Sequence, residues 1–314
     1  MKIFGNNTPY DKYERPEKGI AVGLGNFDGV HKGHAALVRT LVAEAKKRGL
    51  DSLVYTFEKH PMNVFGGGGT VKLIMTNETK AEIMAGLGVD GIFFEGFDRE
   101  YAAMDCETFA RDIVAGKLNA SLCVVGSNYS FGRGGAGGPK ELRELGVRYG
   151  FEVAEIEPVK IGDRLVSSTL LRELISDGKV DEYPIYAGRP YVIPGRVQHG
   201  REVGRSIGFR TANIIPRRGF AIPPDGVYAT VTEVKGTRYR GVTNIGRNPT
   251  FGNNRRSVET HLFEASGDFY GSFIEVTFVK RLRGEIKFDS AELLSAQIAK
   301  DKLAAEEALS GIEL

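Results

Sequence analysis

The chain lacks most of the features that would tie a protein to a membrane, an export route or a nucleic acid. No apolar run in its 314 residues approaches the roughly 20 needed to cross a bilayer, so no membrane partner is expected. The N-terminus, Met1-Lys2-Ile3-Phe4-Gly5-Asn6-Asn7, has no apolar signal core, and export is not expected. A net charge of +2 offers no field of one sign to draw the chain to nucleic acid. Cysteine is scarce: Cys106 and Cys123 form no CxxC or ligand-like cluster. Cys123 stands in Leu122-Cys123-Val124-Val125, the setting of a buried small apolar side chain. These absences predict a cytoplasmic protein, for which a homo-oligomer is as compatible as a monomer.

Glycine is what the chain has in excess. Its 41 glycines form no repeat but gather in loops, where backbone must turn sharply or approach a ligand. The most informative of these is Gly25-Asn26-Phe27-Asp28-Gly29-Val30-His31-Lys32-Gly33-His34. It follows the apolar run Ile20–Leu24 and opens an amphipathic stretch to Arg48, so a strand, a turn and a helix start stand in succession. His31 and His34, three residues apart, fall on one face of the first helical turn. Free backbone N–H groups, the positive end of the helix dipole and two imidazoles together suit an anion. Gly33 is expected to leave room for a ligand at the backbone. Such a pair also occurs at metal centres, where His60 is the candidate third ligand in this half, and on plain helix faces; the strand–turn–helix context favours phosphate.

The length favours two domains, and 41% hydrophobic with 26% charged residues suits a globular protein. Up to about Gly178, apolar runs at Ile20–Leu24, Ser52–Phe57, Gly91–Phe94, Leu122–Val125 and Val153–Ile156 alternate with helical patterns. Those patterns lie at His31–Arg48, Glu78–Leu87, Cys106–Ala115 and Lys140–Tyr149. The alternation predicts a Rossmann-like α/β domain, a parallel sheet with helices on both faces and ligands beyond the carboxyl ends of its strands. From Gly195 short β-rich runs follow one another between glycine, proline and asparagine, and only Ser290–Leu309 reads as a helix, with Leu293, Leu294, Ile298 and Leu303 apolar. That is the pattern of a small antiparallel β-barrel with a C-terminal helix. The boundary is expected near Tyr183–Ile185, giving domains 1–183 and 184–314.

Two further signals lie in the first half. Ser167-Ser168-Thr169-Leu170-Leu171-Arg172 precedes a helix and by itself reads as an N-cap with a surface arginine. The loop Val125–Gly135, carrying Asn128, Phe131 and Arg133, leaves a buried strand at the ligand-binding rim. In the second half, Gly200, Gly204 and Gly208 are interleaved with arginines and could cradle phosphates, although the segment is not a Walker loop. Thr211 and Asn213, two apart in an extended stretch, share a face and offer hard oxygen ligands to Mg²⁺ and nucleotide phosphates. Glu259, inside a strand, ordinarily reads as an outward solvent-facing acid.

Taken in order, the Gly25–His34 motif, Thr56-Phe57-Glu58-Lys59-His60-Pro61, the Val125–Gly132 loop and Ser167–Arg172 resemble the nucleotidyltransferase half of bacterial bifunctional riboflavin kinase/FAD synthetases. Gly188 through Arg281-Leu282-Arg283, Lys287-Phe288 and the closing helix resemble their riboflavin kinase domain. The resemblance implies that riboflavin becomes FMN in the second half and FMN becomes FAD in the first, with ATP as co-substrate of both steps and Mg²⁺ as cofactor. It implies that His31 and His34 meet the triphosphate and transition-state oxygens. A histidine against so much negative charge is expected to favour its cationic form. Gly25, Asn26, Phe27 and Asp28 would shape the nucleotide site, Ser168, Thr169 and Arg172 would hold the departing phosphates, and Asn128 and Arg133 would face FMN. In the kinase half, Gly204, Gly208, Thr211 and Asn213 would bind ATP, Thr211 and Asn213 would hold Mg²⁺, and Glu259 would be the general base.

Three departures stand out. Lys59 replaces a common proline, Asn128 an acidic residue that is frequent there, and Arg210 the proline of Pro-Thr-Ala-Asn. They motivate one alternative, an enzyme of the same class with altered nucleotide or flavin preference. A second alternative is a flavin-binding regulator without turnover. A nucleic-acid role by analogy with synthetases bearing HxGH finds no basic domain to support it.

Overall fold

The computed structural model describes residues 1–5, 12–64, 70–198, 211–247 and 256–313. They form two compact units, Met1–Leu170 and Leu171–Leu314. The boundary expected near Tyr183 falls inside the second unit. There Tyr183 is 1% exposed and packs edge-on against Tyr191 at 5.4 Å, and Gly178 lies against the Arg281 side chain.

The first unit is built on six strands: β1 (Lys2–Gly5), β2 (Ile20–Leu24), β3 (Asp51–Phe57), β4 (Gly91–Glu95), β5 (Ala120–Gly126) and β6 (Glu152–Ile156). They are all parallel, in the order β1-β4-β3-β2-β5-β6. Strands β2 and β4 are unbroken buried runs, as a sheet covered on both faces requires. Helices α1 (Lys32–Arg48) and α2 (Asn77–Gly86) supply Leu37, Val38, Leu41, Ala81 and Met84 to one core. On the other face lie α3 (Arg99–Ala103), α4 (Cys106–Thr108) with its continuation, and α5 (Pro139–Tyr149), which bury Phe109, Val114, Leu142 and Leu145. Gly49, at φ 66°, ends α1 in the left-handed conformation that glycine adopts without strain.

One expected helix differs in kind. The Cys106–Ala115 pattern begins as α4 but runs on as a π-helix over Phe109–Lys117. The wider turn carries Lys117 under β4, where its Nζ lies 2.5 Å from Glu95 Oε2 and 4.1 Å from the Phe93 ring centre. A small hairpin, β7 (Lys160–Ile161) and β8 (Arg164–Leu165), precedes helix α6 (Ser168–Ser176).

In the second unit, α7 (Tyr183–Ala187) leads into β9 (Tyr191–Arg196), β10 (Thr211–Ile214), β11 (Gly226–Val234), β12 (Thr237–Arg247), β13 (Arg256–Leu262) and β14 (Phe273–Arg283). These form one antiparallel sheet in the order β10-β13-β12-β11-β14-β9. The sheet curls until its edges meet, Gln198 N–H donating to the Asn213 carbonyl at 2.8 Å. Inside, the buried hydroxyls of Thr230, Thr243 and Thr260 form a chain of hydrogen bonds at 2.7 and 2.8 Å. Outside, α8 (Ala291–Ala308) packs Ala305 and Leu309 onto Ala229 and Val231. Leu293 and Leu303 are exposed, whereas Asp301 is 5% exposed because Arg283 binds it with two nitrogens, at 2.9 and 2.6 Å.

Candidate functional site

Strand β2 lies between β3 and β5, so the chain reverses its direction across the sheet at the carboxyl ends of β2 and β5. Open parallel sheets bind ligands at such a reversal. The Gly25–His31 turn leaves the end of β2, and the loop from Ser127 leaves the end of β5. The turn is strained. Phe27 and Val30 have φ of 48° and 29°, in the left-handed region that side-chain-bearing residues seldom occupy. Both are buried, and the turn is tied down from several sides. The Asp28 carboxylate accepts from Ile74 N–H at 3.1 Å, and the Asp28 carbonyl accepts from Ser168 Oγ at 2.7 Å. The Asn26 carbonyl accepts from Thr56 Oγ1 at 3.0 Å and from Lys80 Nζ at 2.9 Å.

His31 is the N-cap of α1, and its Nδ1 accepts from the His34 N–H at 3.2 Å. An Nδ1 that accepts carries no proton, so in this arrangement the ring's N–H is on Nε2. The two imidazoles stack at 3.7 Å, and the Phe27 ring supports His34 edge-on at 5.1 Å. A Cβ at Gly33 would lie 3.1 Å from the His31 ring, so its bareness makes room for the imidazole. No acidic residue occupies the first turn of α1, so no carboxylate there offsets the positive end of the helix.

Of the other expected residues, Ser168 reaches this turn, through its bond to the Asp28 carbonyl. Asn26 is exposed, whereas Phe27 and Asp28 are buried and act from beneath. Ser167 Oγ caps α6 by accepting from Leu170 N–H at 3.1 Å, Thr169 is exposed in its first turn, and Arg172 follows one turn later. Asn128 is exposed. Arg133 donates from Nε to the Ala103 carbonyl at 3.2 Å, and its loop is closed at the base by paired hydrogen bonds between Phe131 and Gly137. His60 caps a short 3₁₀ turn through Nδ1. Among the described residues, no group of three or more His, Cys, Asp or Glu side chains is placed to hold a metal ion.

Two features are absent from the expectations above. One is Lys80, 4% exposed, whose ammonium burial pushes down to about 8 against the opposing pull of Asp28. Its signal in the sequence is a lysine in helical register with the buried Met84. The other is a cavity of about 450 Å³ beyond β3 and β4, lined by Glu58, Lys59, Glu95, Asp98 and Glu100 and by the rings of Phe97 and Tyr101. At its wall Tyr55 OH donates to Glu95 Oε2 at 2.6 Å, and burial holds this phenol well above its usual range.

In the barrel, Glu259 stands directly opposite Asn213 on β10 and Asn244 on β12. Cross-strand partners share a face, so the expected base and the expected metal ligand are neighbours. Asn213 is 5% exposed, and its Oδ1 has no hydrogen-bond partner among the described residues. Its Nδ2 points to Thr211 Oγ1 at 3.4 Å. A buried, unmatched amide oxygen beside a hydroxyl fits a hard cation. Gly204 and Gly208, like Arg210, lie outside the described residues.

Residues 13–170 match the family described as FAD synthetase, and residues 187–309 that described as riboflavin kinase. The bifunctional riboflavin kinase/FMN adenylyltransferase of Escherichia coli K12 is 37% identical over 94% of both chains. That of Bacillus subtilis is 34% identical over 96% of both. A solved structure from Streptococcus pneumoniae, described as a macrolide-efflux protein, is similar with a TM-score of 0.85 at 29% identity, covering 93% of this chain and 95% of that one. No helix among the described residues is long and apolar enough to cross a membrane. The chain belongs to the bifunctional riboflavin kinase/FMN adenylyltransferase family, and makes FMN from riboflavin and FAD from FMN, each with ATP.

Proposed function

We propose that the two reactions are divided between the two constellations, adenylyl transfer at the Gly25–His34 turn and phosphorylation at the Glu259–Asn213 pair. The observation that carries this reading is the placement of Glu259 opposite Asn213 in one unit and of the stacked His31–His34 pair at the sheet reversal of the other.

In the barrel, Glu259 takes the proton of the terminal ribityl hydroxyl of riboflavin. The freed oxygen attacks the γ-phosphorus of ATP, and ADP leaves. Thr211 and Asn213 would hold Mg²⁺, which when bound neutralises phosphate charge. Gly204 and Gly208 belong to this ATP site by position in the sequence.

In the sheet unit, a phosphate oxygen of FMN attacks the α-phosphorus of ATP in line, and pyrophosphate leaves. No protein nucleophile is needed, so the chain's work is positioning and charge stabilisation. His31 donates Nε2–H to the phosphates, His34 lies beside it, and the amides of Lys32 and Gly33 face the same oxygens. Asn26 contacts the nucleotide, with Gly25, Phe27 and Asp28 shaping the turn. Ser168 ties the turn to α6, while Thr169 and Arg172 receive the departing β- and γ-phosphates. The cavity beyond β3 and β4 takes the flavin ring: its four carboxylates outnumber the one ammonium, Lys59, and would repel phosphate, whereas Phe97 and Tyr101 offer a flat apolar surface. Asn128 and Arg133 then face the phosphate end of FMN. Consumption of ATP and the buried unpaired cysteines suit a cytoplasmic setting.

The test is a time course of the purified chain with riboflavin and Mg-ATP, its flavins separated, in the parent and in His31→Ala and Glu259→Ala. His31→Ala should accumulate FMN without FAD. Glu259→Ala should make FAD only when FMN is supplied. Loss of both activities from either folded variant would overturn the division.

A further inference from the structure

Lysine is an unusual neighbour for the turn that begins the adenylyl-transfer site. Lys80 projects from α2 beneath it, almost wholly buried, with Nζ 2.9 Å from the Asn26 carbonyl and 3.3 Å from Thr56 Oγ1. The Asn26 carbonyl already accepts from Thr56 at 3.0 Å, so its need for a partner is met without an ammonium. Taking that charge out of water is costly, and a methionine of similar length would fill the space without the cost. What the ammonium adds is a rigid, charged tether on a segment that is strained at Phe27 and Val30 and ends at the His31 cap.

We propose that Lys80 is a positioning residue of FMN adenylylation, its ammonium fixing the Gly25–His31 turn from below and so setting where the His31 end of α1 meets the nucleotide phosphates. The inference rests on the reading of that turn as the adenylyl-transfer site. It places a positive charge behind the turn that also favours the polyanion in front of it. Of the groups packed around Lys80, the turn contributes Asp28, the carboxylate that raises its proton affinity; β3 presents Thr56 and β4 the Phe94 ring at 5.8 Å. Burial outweighs Asp28 and leaves the ammonium near 8, so the tether weakens just above neutral pH.

The experiment uses the full chain, with Lys80→Met, Lys80→Arg and His31→Ala compared with the parent for FAD formation from FMN and FMN formation from riboflavin. Both rates are followed from neutral pH to well above the value near 8. Lys80→Met should lower kcat for FAD formation roughly 10- to 100-fold, the cost of a small misplacement of reacting groups. FMN formation should not change. The parent should lose FAD formation as pH rises through the lysine's ionisation; Lys80→Met should lack that limb, and Lys80→Arg should carry it to higher pH. Parent-like FAD formation in Lys80→Met, or an unmoved limb in Lys80→Arg, overturns the proposal. Should Lys80→Met fail to fold, the Lys80→Arg profile decides alone. If His31→Ala keeps its FAD activity, the site reading itself falls; if it loses that activity while Lys80→Met does not, only the role of Lys80 falls.

Discussion

The Nδ1 of His31 accepts the backbone N–H of His34 at 3.2 Å while the two rings stack at 3.7 Å. One imidazole thus caps the helix that carries the other, and its remaining nitrogen is a donor. His31→Asn keeps an acceptor at the cap and removes that donor. FAD formation in this variant should fall by about 10²- to 10³-fold, with FMN formation and the thermal midpoint unchanged. A large loss of melting temperature would instead mean that the ring's main service is to the fold.

Glu259 and Asn213 face each other across β13 and β10. Glu259→Gln preserves size and hydrogen bonding but cannot take a proton. Riboflavin phosphorylation should fall by about 10²- to 10⁴-fold, the range of a general base, and FAD formation from supplied FMN should persist. A steady-state assay of both steps decides it.

Asn213→Ala removes the buried oxygen assigned to the cation. The kinase step should then need more Mg-ATP for half-saturation, and a Mg²⁺ titration should shift to higher concentration, while adenylyl transfer keeps its own dependence. An unchanged Mg²⁺ titration would dissociate Asn213 from the metal.

Lys80 makes a prediction about stability with the opposite sign from its prediction about rate. An unfolded lysine ionises near 10.5, whereas in the fold it is lowered to about 8. Between those values the unfolded chain holds the extra proton, so the first unit should gain stability as pH rises from about 8 towards 10.5. The cost at neutral pH is about 3 kcal/mol. Lys80→Met should therefore melt no lower than the parent at pH 7, and should lose this gain with pH, even as FAD formation declines. A melting temperature that falls in Lys80→Met at every pH would show that the hydrogen bonds outweigh the desolvation.

Asp301 is buried against Arg283 on the outer wall of the barrel. Asp301→Ala leaves a guanidinium without its main anion and should cost about 3 to 5 kcal/mol, read as an earlier melting transition of the second unit. Pairing it with Arg283→Met should restore part of the loss.

The strands of the sheet unit were legible because buried parallel strands are written as continuous apolar runs, as at Ile20–Leu24 and Gly91–Glu95. The edge strand Lys2–Gly5 was not, being short and only half covered. The histidine pair was legible from spacing and context, but the reason for Gly33 was not, since it depends on where the His31 ring turns. Lys80 escaped notice because a lysine on a helix ordinarily faces water, and its burial follows from the tertiary placement of Asn26 and Thr56, far from it in sequence. In α8 the apolar residues do not mark the buried face, for the converse reason. Asp301 occupies the inner face because Arg283 waits there, and pattern alone cannot see a partner on another strand.

The π-helix Phe109–Lys117 has a consequence for how this protein can vary. Deleting one residue from it would restore the narrower α register and swing Lys117 by about 100° around the axis. The ammonium would leave Glu95 and the Phe93 face, and the cavity beside them would become more negative without any change in its own lining. The register of this helix is thus a setting for the electrical character of a chamber it does not line.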